Sequence, residues 1–171
     1  MEKRVKRLVM ILLLGWMWPL VGVQAGPLID FDAKPAALES YAGKGKWLVV
    51  MIWASDCLIC NKEAKEYERF HQQHQNRDAT VLGITMDGRA NRAAAEAFIK
   101  EHKLNFTNLL GEPEDVATMF YDLTGENWAG TPTFLIYSPA GKLTVQQIGA
   151  VPVPMIEEFI QKQAPATSAK S

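Results

Sequence analysis

A run of seven apolar residues at positions 47–53 dominates the hydrophobic pattern of the chain. Its length and its β-branched residues predict a strand that is buried on both faces of a sheet. Ser55 and Asp56 interrupt the run, and apolar residues then recur at helical spacing as far as about His74. Either Ser55 or Asp56 is expected to cap this helix, which begins near Cys57.

Downstream, short apolar runs alternate with amphipathic segments. Further strands are predicted at residues 80–85, 106–110, 133–137 and 142–148, and further helices at residues 91–102, 114–121 and 155–163. Leu28, Ile29 and Phe31 are expected to form an edge strand, and a turn at residues 138–141 makes a hairpin of the last two strands. This order predicts an α/β fold, with a central mixed sheet flanked by helices and a terminal β-hairpin and helix.

The two ends of the chain differ from this pattern. Four Lys and Arg residues precede an apolar stretch at residues 8–23, and the small residue Ala25 follows it. These features predict a secretory signal peptide at residues 1–25; the alternative is an uncleaved N-terminal membrane anchor, although the stretch is shorter than the roughly 20 residues that span a bilayer comfortably. Residues 26–163 would then form one domain outside the cytoplasm, and the polar segment 164–171 is expected to be a disordered tail.

The charge of the chain narrows the classes of partner. With 18 basic and 19 acidic residues the net charge is −1, and no long basic run occurs. Removal of residues 1–25 leaves 14 basic and 18 acidic residues, so the mature protein is mildly acidic. This balance argues against a nucleic-acid-binding surface and against adhesion to anionic lipid.

The chemistry of the sequence is concentrated in its two cysteines, Cys57 and Cys60. They lie where the buried strand passes into the first helix, and unpaired N–H groups at a helix N-terminus stabilise a thiolate. The three-residue spacing places both sulfur atoms on one face of the helix, close enough to form a disulfide. Cys57 is expected to attack a disulfide in a substrate, and Cys60 is expected to resolve the mixed disulfide that results.

A zinc half-site is the structural alternative for such a pair. Zinc needs four ligands, and the three histidines of the chain are the other candidates. His71 and His74 would lie roughly 16–20 Å along the helix from the cysteines. These two and His102 are therefore predicted to be solvated surface groups, and no metal site is expected.

The motifs around the cysteines resemble those of a known family. Trp53-Ala54-Ser55 leads into the Cys-x-x-Cys pair, Glu63 follows it, and the segment at residues 130–136 reads Gly-Thr-Pro-Thr-Phe-Leu-Ile. Over roughly residues 28–163 the chain resembles the TlpA-like branch of thioredoxin-fold proteins, which are exported and usually act as protein disulfide reductases. The resemblance implies a thioredoxin-like fold.

The same resemblance implies roles for individual residues. It predicts a cis Thr131–Pro132 bond beside the cysteine pair, where the backbone of Thr131 would pair with an extended substrate segment. It also marks Trp53, Asp56 and Glu63 as supporting residues. For Glu63 a plain alternative exists, that of an exposed glutamate in the first turn that interacts favourably with the helix dipole.

Four positions depart from the pattern of thioredoxin itself. Asp56 stands where thioredoxin has a Trp, and its carboxylate is expected to disfavour the Cys57 thiolate unless it serves mainly as a helix cap. Met51 stands where thioredoxin has a buried acid. Leu58 and Ile59, between the cysteines, are bulky and apolar. These departures leave the redox potential and the direction of electron flow open.

The sequence therefore predicts an exported enzyme that reduces disulfides in periplasmic proteins, apocytochrome c among the candidates, and that takes electrons from a membrane thiol donor. No cofactor is expected besides the redox-active disulfide. The alternatives are a disulfide oxidase or isomerase and a thioredoxin-fold copper-handling chaperone. A thiol peroxidase is disfavoured because Ala54 stands three positions before Cys57, where a Thr or Ser is usual.

Overall fold

The structure, a computed structural model, describes residues 28–163, which form a seven-stranded mixed sheet with helices on both faces. The strands are β1 Leu28–Asp30, β2 Pro35–Ala36, β3 Trp47–Trp53, β4 Ala79–Thr85, β5 Thr107–Gly111, β6 Thr133–Tyr137 and β7 Leu143–Ile148. The helices are α1 Leu58–His74, α2 Arg92–His102, α3 Pro113–Thr124 and α4 Val153–Gln163. The strand order is β2-β1-β5-β4-β3-β6-β7, in which β3, β4 and β5 are parallel and the other pairs are antiparallel.

The predicted central strand is confirmed, because β3 lies between β4 and β6 and all seven of its residues are buried. Its side chains alternate between two apolar layers. Trp47, Val49, Met51 and Trp53 face the layer that α1, α2 and α4 cover, whereas Leu48, Val50 and Ile52 face the layer that α3 covers. An unbroken apolar run is thus required because each face of the strand packs against helices.

Helix α1 has the predicted extent, and Ala64, Tyr67 and Phe70 form its buried face. The predicted cap is wrong. Cys57 itself is the N-cap residue, and its Sγ accepts a hydrogen bond from the Cys60 N–H at 3.1 Å. The backbone of Cys57 is extended, which suits an N-cap position.

The prediction that the histidines are solvated is also wrong. All three are buried, with His71 at 7%, His74 at 8% and His102 at 7% exposure. Each imidazole meets a polar partner inside the fold, which offsets the cost of burial. His71 Nδ1 accepts from the Val81 N–H at 3.2 Å, and His74 Nδ1 lies 2.7 Å from a carboxylate oxygen of Asp78.

Smaller differences concern the edges of the fold. Strand β2 was not predicted, and it rather than β1 lies at the edge of the sheet. Helix α3 is longer than predicted and ends where Gly125 takes the left-handed conformation, at φ +74°. The predicted signal peptide and tail lie outside the described residues. Within residues 28–163, none of the helices has the length and apolar content needed to span a bilayer.

Candidate active site

The cysteines and the Thr-Pro segment meet at one edge of the sheet. Strands β3 and β6 are antiparallel, with Ile52 opposite Thr133, so the residues after β3 and those before β6 lie at the same edge. The Thr131–Pro132 bond is cis, as predicted. Pro132 is buried, and its carbonyl accepts from the Gly149 N–H at 2.8 Å, which ties this segment to the loop after β7.

The two cysteines form a disulfide with their Cα atoms 5.2 Å apart, and their surroundings differ. Cys60 is fully buried, whereas Cys57 is partly exposed. Between them Leu58 is 78% exposed and Ile59 is 43% exposed, so the surface beside Cys57 is apolar. A reagent or substrate that approaches this edge of the sheet therefore reaches the sulfur of Cys57 first.

Trp53 anchors the strand that carries the site. Its indole is fully buried, stacks on Phe98 with the ring centroids 4.2 Å apart, and donates from Nε1 to Asn108 Oδ1 at 3.2 Å. Gly83 of β4 leaves the space that this hydrogen bond occupies, since a Cβ on Gly83 would lie 1.9 Å from Asn108 Oδ1. The sequence singled out Trp53 but gave no sign of its two partners.

The loop between β3 and α1 is held by a carboxylate that sequence reasoning missed. Asp87, just after β4, accepts from the N–H of Ser55 at 3.1 Å and from its hydroxyl at 2.8 Å. The hydroxyl of Thr85 donates to the other carboxylate oxygen at 2.5 Å. Strand β4 thereby fixes the segment that leads into Cys57, and a lone Asp after a strand carries no signal of that role.

A second set of contacts holds the same loop from the helix side and was also missed. The Asn61 side-chain Nδ2 donates to the carbonyl of Cys57 at 2.9 Å and to that of Ser55 at 3.2 Å. Its Oδ1 lies 2.9 Å from Nε2 of the buried His102, at the end of α2. The active-site loop is thus connected to α2 through one amide side chain.

Glu63 lies one turn beyond Cys60, and the prediction of an exposed first-turn glutamate is wrong. The residue is half-buried, and its Oε2 atom is buried without a hydrogen-bond partner among the described residues. Burial raises the pKa of Glu63, and a hydrogen bond from the backbone of Val151 offsets part of this rise. Burial and the charge of Glu63 also raise the pKa of Tyr67. A carboxyl in this state can hold or release a proton near the buried sulfur of Cys60.

Asp56 is exposed, and it does not cap α1. The alternative that it serves mainly as a helix cap is therefore wrong. Its expected effect on the Cys57 thiolate stays a prediction.

An apolar groove of about 420 Å³ lies between β7 and α4, lined by Phe134, Ile136, Val145, Gln147, Ala150, Val151, Met155, Ile156 and Phe159. Val151 links this groove to α1, because its carbonyl accepts a hydrogen bond from the Tyr67 hydroxyl at 2.6 Å. Among residues 28–163, no group of three or more His, Cys, Asp and Glu side chains is placed to hold a metal ion.

A thioredoxin-like sheet with a Cys-x-x-Cys disulfide at the start of α1 and a cis-proline at the same edge defines a thiol–disulfide oxidoreductase. The chain belongs to the AhpC/TSA family, whose family model matches residues 22–146. Sporulation thiol–disulfide oxidoreductase A of Bacillus subtilis is 22% identical to it over 124 residues, which are 72% of this chain and 72% of that protein.

Solved structures support the same fold. A secreted disulfide oxidoreductase of Mycobacterium tuberculosis superimposes with a TM-score of 0.61 at 23% identity, covering 78% of this chain and 92% of the other. The predicted thioredoxin-like fold and the resemblance to exported thioredoxin-fold oxidoreductases are confirmed. A partial match of another kind also occurs: alkyl hydroperoxide reductase C of Mycobacterium tuberculosis is 29% identical over 76 residues, which are 41% of this chain and 39% of that protein.

Proposed function

We propose that this oxidoreductase reduces disulfides in proteins outside the cytoplasm, with Cys57 as the attacking thiolate and Cys60 as the resolving thiol. The observation that carries the proposal is the asymmetry of the pair, in which Cys57 is partly exposed at the helix N-terminus and Cys60 is fully buried. An attacking thiolate needs access and stabilisation by N–H groups, and a resolving thiol needs only to reach its partner.

The exchange proceeds in two displacements. The Cys57 thiolate attacks one sulfur of the substrate disulfide, forms a mixed disulfide and releases the other substrate sulfur as a thiolate. Cys60 then loses its proton, attacks Cys57 Sγ and releases the second substrate sulfur, so that the substrate gains two electrons and the enzyme pair becomes a disulfide. We assign the proton of Cys60 to Glu63, whose raised pKa suits it to accept a proton one turn away. A membrane thiol donor would return the pair to its reduced form.

The substrate segment lies along the cis-proline edge of the sheet. The backbone of Thr131 can pair with an extended chain, because this residue precedes β6 and stands beside the end of β3. The exposed Leu58, which follows Cys57, and the groove between β7 and α4 offer apolar surface. Such a surface suits unfolded polypeptides with apolar residues near a cysteine.

The proposed compartment is the periplasm. It is supported by the sequence of residues 1–25 and by the similarity to an oxidoreductase described as secreted. A form that keeps its N-terminal segment as a membrane anchor and faces the periplasm is the alternative. Residues 26–163 form the enzyme domain in either case.

Hydroperoxide reduction is the second candidate function, favoured by the partial match to alkyl hydroperoxide reductase C. Against it stands Ala54, which has no hydroxyl to offer a peroxide at the position three residues before Cys57. A steady-state assay with hydrogen peroxide and with a protein disulfide as competing substrates separates the two functions. Turnover of the peroxide at a higher kcat/KM than the protein disulfide would reverse our preference.

The proposed roles can be tested by trapping mixed disulfides in the compartment to which the protein is exported. Cys60→Ser is expected to accumulate mixed disulfides through Cys57, which mass spectrometry of the adducts identifies, and Cys57→Ser is the matched control that should trap none. Equal trapping by both variants would refute the assignment of the two thiols. A measured reduction potential of about −120 mV, that of a strong oxidant, would mean that the enzyme oxidises its substrates and does not reduce them.

A further inference from the structure

The contacts of Asn61 form a continuous chain from the active-site loop to α2. The carbonyl of Cys57 accepts two hydrogen bonds from Asn61, one from its backbone N–H at 3.0 Å and one from its side-chain Nδ2 at 2.9 Å. The same Nδ2 donates to the carbonyl of Ser55 at 3.2 Å. One amide group therefore satisfies the carbonyls of the residues that precede and carry the attacking sulfur.

The orientation of this amide depends on His102. Because Nδ2 faces two carbonyl oxygens, Oδ1 must face His102 Nε2, 2.9 Å away, and that nitrogen must carry a hydrogen. His102 Nδ1 is buried and finds no hydrogen-bond partner among residues 28–163. The neutral imidazole with its proton on Nε2 fits both contacts, since it donates where an acceptor waits and leaves Nδ1 without a buried N–H.

The electrostatic effect on Cys57 follows from the direction of these dipoles. Carbonyl oxygens near a sulfur oppose a negative charge, and an N–H donor that binds them reduces this opposition. Loss of the Asn61 side-chain donor would remove this hydrogen bond from the carbonyl of Ser55 and would leave the carbonyl of Cys57 with the backbone N–H of Asn61 alone, so both carbonyls would oppose the thiolate more strongly. Substitution by Asp would place a negative charge at the same point and would disfavour the thiolate further.

We propose that Asn61 and His102 are a positioning pair: His102 orients the Asn61 amide, and the amide holds the carbonyls of Ser55 and Cys57 so that the Cys57 thiolate is favoured and the potential of the pair is raised. The inference rests on the role of Cys57 in the proposed function. It adds two residues that do not touch the substrate and act through the loop.

The test measures two properties that a purely structural role would leave unchanged. One is the rate of Cys57 alkylation by iodoacetamide at pH 7 in a Cys60→Ser background, which reports the thiolate fraction. The other is the equilibrium of the Cys57–Cys60 pair with glutathione. Asn61→Asp, which is isosteric, and His102→Phe are each expected to lower the alkylation rate about tenfold, the scale of one lost hydrogen bond. A tenfold shift of the glutathione equilibrium toward the disulfide corresponds to about 30 mV.

Two controls make the result specific. His102→Gln keeps a donor that can reach Asn61 Oδ1 and is expected to stay within about twofold of the wild type. His74→Phe removes an equally buried histidine of α1 that contacts Asp78 and not the loop, and should leave both measurements unchanged. If His102→Phe does not fold, Asn61→Leu carries the same test, because it removes the amide without adding a charge.

The outcomes separate this inference from the proposed function. A wild-type pair that does not exchange with glutathione would refute the proposed function. Normal exchange by the wild type, with alkylation and potential unchanged in Asn61→Asp and His102→Phe, would overturn the positioning role alone. Equal shifts in His74→Phe would also overturn it, because the cause would then be general loss of packing.

Discussion

Gly83→Ala probes how tightly the strand that carries the site is built. Gly83 lies in β4 between Met51 and Asn108, and no unusual backbone conformation requires a glycine there. A Cβ would instead lie 1.9 Å from Asn108 Oδ1 and 2.9 Å from Trp53 Nε1. The substitution therefore acts through space alone, at the hydrogen bond that anchors the indole.

The size of the effect follows from these distances. Ordinary contact begins at 3.4 Å, so the Asn108 side chain must move by about 1.5 Å and lose its bond to Trp53. A buried N–H left without a partner costs about 1–3 kcal/mol, and an extra methyl group in a packed interior costs about 1–3 kcal/mol. Together these costs predict that Gly83→Ala lowers the free energy of unfolding by about 2–6 kcal/mol.

Urea unfolding of the oxidised protein, followed by circular dichroism, measures this change. Gly125→Ala is the control, since its Cβ meets nothing within 4 Å and only the left-handed conformation is strained, at about 1 kcal/mol. Asn108→Ala removes the obstacle as well as the hydrogen bond. Gly83→Ala in that background should therefore cost about 1–2 kcal/mol less than in the wild type.

Two results would refute this reasoning. One is a Gly83→Ala variant that is no less stable than Gly125→Ala. The other is a double variant with Asn108→Ala whose free-energy loss equals the sum of the single losses within about 0.5 kcal/mol. Either result would mean that the space beside Trp53 is looser than the structure shows.

Three further predictions concern titratable groups. Burial raises the pKa of Glu63, so the stability that this residue contributes is present below pH 4.5 and is lost as the pH rises through the raised value. Glu63→Gln should therefore be more stable than the wild type by about 0.5 kcal/mol at pH 7 and equal to it at pH 4. Urea unfolding that shows the same difference at both pH values would contradict this prediction. Burial alone would raise the pKa of Asp78, but the hydrogen bond and charge of His74, together with the charge of Arg77, hold this pKa below its usual value. Asp78→Asn should therefore lower the free energy of unfolding by about 0.5 kcal/mol at pH 7 and by nothing once the pH has fallen through the lowered pKa. A loss of stability that persists in acid would exclude this cause. Burial, and to a smaller extent the charge of Glu39, raises the pKa of Tyr137 to about 12, and the Tyr137 hydroxyl is buried without a hydrogen-bond partner among the described residues. Tyr137→Phe should remove the absorbance step at pH about 12 in a titration at 295 nm, and should leave the free energy of unfolding equal or up to about 1 kcal/mol higher. A loss of stability would contradict the absence of a hydrogen bond at this hydroxyl.

The parts of the fold that sequence predicted best depend on local patterns. The strand at 47–53 and α1 follow from continuous or periodic apolar residues, and their packing matches the pattern. The Thr131–Pro132 edge was predicted through family resemblance and not through any local rule. Neither the hydrophobic pattern nor the composition of a sequence indicates whether a given X–Pro bond is cis.

The cap of α1 shows where local reasoning fails. Ser55 has the side chain that a cap prefers, but its N–H and hydroxyl are both bound to Asp87, 32 residues along the chain. Because the Ser55 side chain is bound to Asp87, it does not cap α1, and the sulfur of Cys57 accepts the hydrogen bond at the N-cap. A propensity cannot register such competition, because the competing partner is brought close only by the complete sheet.

The same cause explains the histidines and Glu63. His71 can be buried because its ring accepts a hydrogen bond from the Val81 N–H of β4. His102 can be buried because its ring is hydrogen-bonded to the side chain of Asn61 on α1. Glu63 is covered by the loop at Val151, which lies 88 residues further along the chain. Polar residues that read as exposed in a helical pattern can thus be buried by distant segments.

The sulfur of Cys57 caps α1 and, in the proposed mechanism, is also the attacking atom, which would couple the chemistry to the first turn of the helix. In the disulfide state the Cys60 N–H donates to Cys57 Sγ, and this amide has no partner within its own helix. When Cys57 is bound to a substrate sulfur, that acceptor moves with the mixed disulfide. Hydrogen exchange at the Cys60 amide should therefore distinguish the disulfide form of the enzyme from the mixed-disulfide intermediate, and one backbone proton would report which of these two stages the enzyme has reached.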